Sequence, residues 1–353
     1  MAGEAESGMR IGLIGCGMAG ALRAKAVARL RDIRLVSVSD VDRGRAQAVG
    51  RPHGAAIESD WPALLQRDDV DAVIISTPPA LHRDMCIAAL EQGKHVLCEK
   101  PLARNPMECR EIVAAAERCG RVLATGFNQR FLPAVATAKR ILDSGRIGEL
   151  DHVRSYAGHP GGAEFTHPWV HDPTVTGGGT LMDNGIHILD LTRFFLGDVV
   201  EVKGFSTRSV WRFDGAEDNA FALLRSPGGQ VAILQASWTE WRGYRFWIEV
   251  YGTRGCVRAL YPPMLAHVVW TDTPGGRTRR GLYLFPMLQV MERLRSYRWT
   301  IVRSFGEELQ AFSRTVRGER TQLALGRDGL KAVEIAYAVY QTAADPMPTV
   351  LRG

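Results

Sequence analysis

Within the stretch "GGGTLMDNGIHILDL" (residues 177–191) an acid and an imidazole stand four residues apart, Asp183 and His187, with Asp190 following. On a helix, positions i and i+4 lie one above the other. The spacing therefore predicts a carboxylate and a histidine ring sharing one face among Leu181, Ile186, Ile188 and Leu189. Such a pair either satisfies itself inside the core or moves a proton. An imidazole of unperturbed pKa about 6.5 can accept a hydroxyl proton near neutral pH. A carboxylate one turn earlier can orient the ring and stabilise its protonated form. A third group changes the balance between the two readings: Lys100, in "CEKP" (98–101), follows the apolar run "KHVL". That places it at a strand's carboxyl end, where open α/β sheets bind ligands. Asp183 and His187 alone read as a helix-start acid and a satisfied core histidine. Lys100 itself is either a surface lysine at a strand end or a group beside a bound nicotinamide.

A nicotinamide is held as part of a dinucleotide, and "GLIGCGMAG" offers a place for one. Gly15, Gly17 and Gly20 form a Gly-x-Gly-x-x-Gly pattern, with Cys16, Met18 and Ala19 between them, directly after a strand-like run and at the head of a helix-like one. Glycines there permit a tight turn and let the backbone approach a pyrophosphate at the positive helix end. Asp40 ends the next strand-like run, where an acid can bind ribose hydroxyls. Its charge predicts NAD rather than NADP. Arg43 and Arg45 are the nearby cations that would reverse the preference.

The elements that must position these groups follow two patterns. Up to residue 126, strand runs at 10–15, 33–40, 71–79, 94–101 and 121–127 alternate with helical stretches, two of which close on Gly93 and Gly120. Strands separated by helices imply βαβ units and a parallel, doubly wound sheet. From residue 127 one helix leads to "LDHVRSYAG", and after residue 199 come alternating runs joined by turns such as "SPGG" and "GTRG". Those imply an antiparallel sheet. Helices near 304–317 and 327–343 complete an α+β domain. The expected domains are thus residues 1–126, which bind the dinucleotide, and 127–353, which bind substrate and form oligomer contacts.

Taken together, the glycine turn, "STPPALH" (76–82), "GKHVLCEKPLA" (93–103), "GFNQRFLP" (126–133), "SGRIGEL" (144–150), the Gly-Gly-…-Asp-…-His segment and "YGTRGCV" (251–257) make the chain resemble the glucose–fructose oxidoreductase / inositol dehydrogenase (Gfo/Idh/MocA) family over nearly its whole length. The resemblance implies an N-terminal Rossmann domain, a C-terminal α+β domain with a large, mostly antiparallel open sheet, and an NAD-dependent oxidoreductase acting on a sugar, cyclitol or related polyol. It implies that Lys100, Asp183 and His187 form the catalytic group. Glu99 and His82 match positions lining the nicotinamide ribose, Ser76, Thr77 and Pro78 match a loop near the cofactor, and Lys100–Pro101 is expected to be cis. Asn128, Arg130, Asn184 and Tyr244 are candidate cofactor or substrate contacts, and Trp169 in "HPWVHDP" offers a ring to a sugar face. Two rival functions stand beside this one. An epimerase or lyase would use tightly bound NAD transiently, and a silent NAD(H) sensor or scaffold would not turn over at all.

Bulk properties narrow the field. A hydrophobic fraction of 46% with 23% charged residues is ordinary for a globular protein. No apolar run approaches the roughly 20 residues that span a bilayer. The opening "MAGEAESGMR" lacks a signal peptide's apolar core and is expected to be a short disordered lead-in to a cytoplasmic protein. The six cysteines form no Cys-x-x-Cys pair and are expected to be reduced thiols. The net charge of +6 is concentrated in residues 271–303, where seven arginines face Asp272 and Glu292. Those arginines alternate with "GLYLFPMLQVMERL", so the segment reads as packed or subunit-facing rather than as a nucleic-acid site. His152, His159, His167, His171 and Asp172 invite a metal reading, but their Gly- and Pro-rich setting does not suit a zinc site, and no metal is expected. Trp238, Trp241, Phe246 and Trp247 are expected on the open sheet face as part of a homo-oligomer interface, in a dimer or tetramer.

Overall fold

The computed structural model describes residues 8–161 and 168–344. His167 and residues 1–7 of the N-terminal lead-in lie outside the described residues, and the last two residues of that lead-in, Met9 and Arg10, belong to a strand rather than to a disordered segment. Contacts between Cα atoms divide the chain into two compact units, Met1–Leu132 with Pro286–Leu330, and Pro133–Phe285 with Lys331–Gly353.

The first unit holds a six-stranded parallel sheet in the order β3-β2-β1-β4-β5-β6. Its strands are β1 (Met9–Ile14), β2 (Ile33–Ser39), β3 (Ala56–Ile57), β4 (Ala72–Ile75), β5 (His95–Cys98) and β6 (Leu123–Thr125), interleaved with α1 (Met18–Val27), α2 (Arg43–Gly50), α3 (Trp61–Leu65), α4 (His82–Glu91) and α5 (Pro106–Cys119). All of β4 is buried, as a strand covered on both faces must be. The chain reverses direction from the middle of the sheet at β1, so the carboxyl ends of β1 and β4 flank the switch point where such folds bind ligands. The helix boundaries follow local chemistry. Asn105 caps α5 by accepting from the Glu108 N–H at 2.9 Å, Pro106 occupies the first turn, and Gly120 closes it at φ 60°. The short edge strand β3 had no clear alternating run to announce it in the sequence.

The second unit opens with α6 (Pro133–Asp143) and β7 (Leu150–Gly158), followed by the short helices α7 (Pro173–Thr176) and α8 (Thr180–Asp183) and by α9 (Gly185–Leu196). Seven strands follow: β8 (Glu201–Thr207), β9 (Asn219–Arg225), β10 (Val231–Ser237), β11 (Arg245–Gly252), β12 (Gly255–Tyr261), β13 (Leu265–Trp270) and β14 (Arg279–Leu284). The eight-stranded sheet runs β14-β13-β12-β11-β7-β10-β9-β8. Every neighbour pair is antiparallel except β7 with β10, which is parallel because the chain leaves β7 through helices before returning.

One face of this sheet is covered and the other is open. Along β9 the pattern is strict: Ala220, Ala222 and Leu224 are buried, whereas Phe221 and Leu223 are exposed, and Ile233 and Phe205 join them from β10 and β8. Of the set expected there from the sequence, Trp247 lies on the open face, in the cross-strand row of Tyr156, Gln235, Phe221 and Phe205, and Trp241 is 66% exposed, whereas Trp238 and Phe246 are not on that face. Trp238 is 0% and Phe246 1% exposed, both inside the unit, and Trp247 stacks on Tyr156. Alternation was the right rule; the phase put these two large rings inward.

The chain ends with α10 (Pro286–Arg295), α11 (Arg298–Val316) and α12 (Gly326–Ala344). The arginine-rich segment thus contains β14 and α10, neither of which was anticipated. Residues 286–330 group with the first unit rather than with the domain the sequence suggested. The reason is packing: Val302, Phe305, Leu309 and Phe312 form one apolar stripe on α11 and bury into the same core as Ile11, Leu13, Leu22 and Val27.

Candidate active site

The glycine turn is shaped by contacts within the first unit. Gly15 has φ +91°, and a Cβ there would lie 2.5 Å from the Ser76 carbonyl oxygen. A Cβ on Gly20 would lie 2.0 Å from the Gly15 oxygen. These two glycines are needed by the fold itself. Gly17 is different: a Cβ there would meet nothing within 4 Å, so no protein atom demands a glycine. A ligand's approach would. Gly17 heads α1 without a side-chain cap and with no acid in the first turn, leaving the leading N–H groups, from Met18, Ala19 and Gly20, available to an anion. Cys16 is no nucleophile, since burial and then the Asp40 charge push its thiol up to about 12.

Asp40, at the end of β2, accepts from the Cys16 N–H at 2.6 Å and the Asp42 N–H at 2.8 Å, which fixes the carboxylate against the turn. Arg45 pairs with Asp42 at 3.2 Å, so its charge is directed at that acid. The Ser76 hydroxyl, across the turn from Gly20, is buried with no hydrogen-bond partner among the described residues. An open glycine position, uncapped helix N–H groups, a fixed acid at the next strand end and an orphaned hydroxyl together fit the pyrophosphate and ribose of a dinucleotide.

The segment carrying Lys100 is fastened from two sides. His82 is fully buried, its Nδ1 2.9 Å from the Pro101 carbonyl and its Nε2 2.9 Å from the Thr77 carbonyl. Burial lowers its pKa against the pull of those carbonyls. The ring thus links the loop of Ser76, Thr77 and Pro78 to the Lys100–Pro101 turn, whose peptide is cis. The Glu99 carboxylate is held at 2.7 Å by Nε of Arg23, a fully buried guanidinium on α1 that also bonds Glu308 of α11 at 2.5 Å and lies over the Phe305 ring. Burial opposes the Arg23 charge, but Glu99 and Glu308 outweigh it and raise the pKa. Sequence reading placed His82 and Glu99 beside the ribose; here each has protein partners of its own. Asn128 donates to the Ser304 hydroxyl at 2.7 Å. Arg130 is buried against the Gln322 carbonyl at 3.3 Å and Asp328 at 3.6 Å.

In the second unit Asp183 and His187 do not share one uninterrupted helix: α8 ends at Asp183 and α9 begins at Gly185, with Asn184 at the junction. The Asp183 side chain, 28% exposed, accepts from the Trp238 indole N–H at 3.0 Å and lies 3.1 Å from Nε2 of His159. These partners come from β10's end and from just beyond β7, remote in sequence. His159 was visible only as a member of a histidine cluster, and Trp238 only as an aromatic. Asn184 is buried, bonded to the Thr180 hydroxyl at 2.9 Å and to the Ser237 carbonyl at 3.5 Å. Trp169 is 38% exposed on a 3-10 turn, and the Tyr244 ring lies 6.1 Å from that of Tyr261. Among the described residues no cluster of His, Cys, Asp and Glu has the form of a metal site.

The glycines ahead of Asp183 serve a purpose the sequence did not reveal. A Cβ on Gly179 would lie 2.4 Å from the Glu217 backbone N and O, and one on Gly178 would lie 2.2 Å from the Tyr340 hydroxyl. Glu217 clamps the turn: its carboxylate accepts from the Gly179 N–H at 2.8 Å, the Leu181 N–H at 2.8 Å and the Tyr340 hydroxyl at 3.0 Å. Burial nonetheless raises its pKa, outweighing these donors.

The fold and the glycine turn define a class, the oxidoreductases with an NAD-binding Rossmann domain. Residues 9–127 match the family described as "Oxidoreductase family, NAD-binding Rossmann fold", and residues 135–258 match the GFO/IDH/MocA C-terminal domain. The chain belongs to this Gfo/Idh/MocA family, and it is an oxidoreductase with NAD as its cofactor. It is 30% identical to myo-inositol 2-dehydrogenase of Thermotoga maritima, over 94% of this chain and 95% of that one. It is 28% identical to scyllo-inositol 2-dehydrogenase (NAD(+)) of Bacillus subtilis, over 98% and 97%. A levoglucosan dehydrogenase structure with NADH and levoglucosan matches at TM-score 0.83 and 26% identity, over 96% of this chain and 97% of that one. No described helix is long and apolar enough to cross a membrane.

Proposed function

We propose that this enzyme interconverts a secondary alcohol and a ketone on a sugar, cyclitol or related polyol. The observation that carries the reading is the partly buried Asp183 carboxylate, held by Trp238 and His159 at the junction that leads into His187. It stands in a chain whose full-length relatives include inositol dehydrogenases. Bound NAD supplies the hydride acceptor. His187 takes the hydroxyl proton, and the Asp183 charge favours the imidazolium that results. The Trp238 and His159 hydrogen bonds keep that carboxylate from turning away. Lys100 is assigned to the developing alkoxide, which its ammonium stabilises. The Asp40 carboxylate disfavours a 2′-phosphate and sets the preference for NAD over NADP. The Rossmann unit is assigned to the nucleotide, and the unit with the open sheet to substrate and to contacts with further copies of the chain.

The test is a panel of sugars, cyclitols and polyols incubated with NAD or NADP and read by NADH absorbance. NADH from at least one polyol, with NAD preferred, is expected. No NADH from any of them, with NAD retained through purification and an isomerised or eliminated product, would replace this reading by an epimerase or lyase.

A further inference from the structure

Trp238 not only donates to Asp183; it begins a train of rings. Its carbonyl accepts from the Trp211 indole N–H at 2.9 Å. The Trp211 ring lies nearly parallel to Phe213, 6.3 Å away at 9°, and 6.0 Å from Trp241. Phe213 in turn stacks on His171 at 4.0 Å and meets Trp238 edge-on at 6.2 Å. The train ends in water: Trp241 is 66% exposed.

The loop presenting two of these rings is built rather than loose. Asp218, fully buried, accepts from the backbone N–H groups of Ser209 at 2.7 Å, Val210 at 2.6 Å and Trp211 at 3.3 Å. The next residue, Arg212, sits in the left-handed region at φ 52°. Non-glycine residues pay for that conformation, and it persists where the surroundings enforce it, commonly at ligand sites. Its effect is to place Trp211 and Phe213 in one parallel pile beside the ring that holds Asp183. Trp241, at the outer end of the train, presents its ring to solvent.

We infer that these rings form an outer subsite for a second sugar ring, so that the preferred substrate is a glycoside, a disaccharide or a glycosylated cyclitol, whose reacting ring lies at Asp183. The inference rests on the proposed reaction. The C–H face of a pyranose packs against an aromatic face, and rigid rings lose little conformational freedom in holding it.

The test compares free and glycosylated rings, myo-inositol with galactosyl-myo-inositol and glucose with cellobiose, on the full-length enzyme with NAD. Wild type should show kcat/KM about tenfold higher for a glycoside than for its free ring, the worth of one good aromatic contact. Trp241→Ala should bring that ratio down toward one, and Trp241→Phe should restore most of it, with unchanged melting temperatures. Equal use of free and glycosylated rings, or a ratio unmoved by Trp241→Ala, would overturn the inference. If no compound is oxidised, the proposed reaction fails, and tryptophan fluorescence still decides the subsite. A saturable change with cellobiose or galactosyl-myo-inositol that Trp241→Ala abolishes supports it, and no saturable change with either sinks it.

Discussion

Replacing each glycine of the 177–179 run by alanine separates a packing role from a substrate-approach role. At Gly179 the added methyl would lie 2.4 Å from two Glu217 backbone atoms, which cannot swing aside. Relief requires moving either the start of α8 or the chain leading into β9, and with it the N–H bonds to the Glu217 carboxylate. Overpacking of this kind costs about 3 kcal/mol, the upper part of its usual range. At Gly178 the methyl would meet the Tyr340 hydroxyl at 2.2 Å, the far end of a side chain, and about 1–2 kcal/mol is expected. At Gly177, with φ 87°, the strain of a left-handed alanine costs about 1 kcal/mol. The order of loss should therefore be Gly179→Ala, then Gly178→Ala, then Gly177→Ala, measured by urea unfolding at neutral pH. Tyr340→Phe should recover part of the Gly178→Ala loss, because it removes the atom met first. Turnover should fall with stability, since α8 ends in Asp183. A Gly179→Ala enzyme with wild-type stability and a raised KM would refute this reasoning and assign the glycines to the substrate.

Three further outcomes are expected. His187→Ala should lower turnover by roughly 10²–10⁴-fold with NAD affinity by calorimetry unchanged, and Asp183→Asn combined with it should fall well short of the summed losses; near-normal turnover would make His187 structural. Burial holds the Glu217 carboxyl above its ordinary range, so its contribution to stability is complete below that range and drains away as pH rises through the folded value; the stability of Glu217→Gln should fall less steeply than wild type from mildly acidic to neutral pH, and an identical slope would contradict it. The exposed stripe of Phe205, Phe221, Leu223 and Ile233 sets four large apolar side chains on one open sheet face, the kind of surface that partners cover, and a second copy is the occupant proposed; light scattering should report an oligomer that Ile233→Asp dissociates, and a monomeric wild type would dismiss the interface.

What the sequence made legible depends on how far apart the cooperating residues lie. The glycine turn and its acid are set by local spacing, and Gly15, Gly20 and Asp40 stand where that spacing implied. β9 was readable because Phe221 and Leu223 alternate with small buried neighbours. Hidden were the interactions that only the folded chain creates. Asp183 was read with His187, four residues away, and Trp238 and His159 also reach its carboxylate, from 55 and 24 residues away. Glu217 and Tyr340 clamp the glycine run from still other elements, and no periodicity announces them. β14 and α10 were obscured by arginines whose exposed side chains break the apolar pattern. α11 betrayed its amphipathic stripe but not its destination, since the stripe fits any apolar surface and only the fold selects the Rossmann unit.

The buried trio of Arg23, Glu99 and Glu308 also constrains how this lineage can diverge. Losing Arg23 strands two carboxylates in the interior, a fault worth about 3–5 kcal/mol, comparable to much of a domain's whole margin, whereas losing one glutamate leaves the guanidinium paired with the other. Replacement of Arg23 alone is therefore filtered out, while an apolar set arriving together can be neutral. Among descendants the helix after the glycine turn, the acid beside Lys100 and the mid-position of α11 should covary as one inherited character. A homologue carrying leucine at the first site should have discarded acids at both of the others.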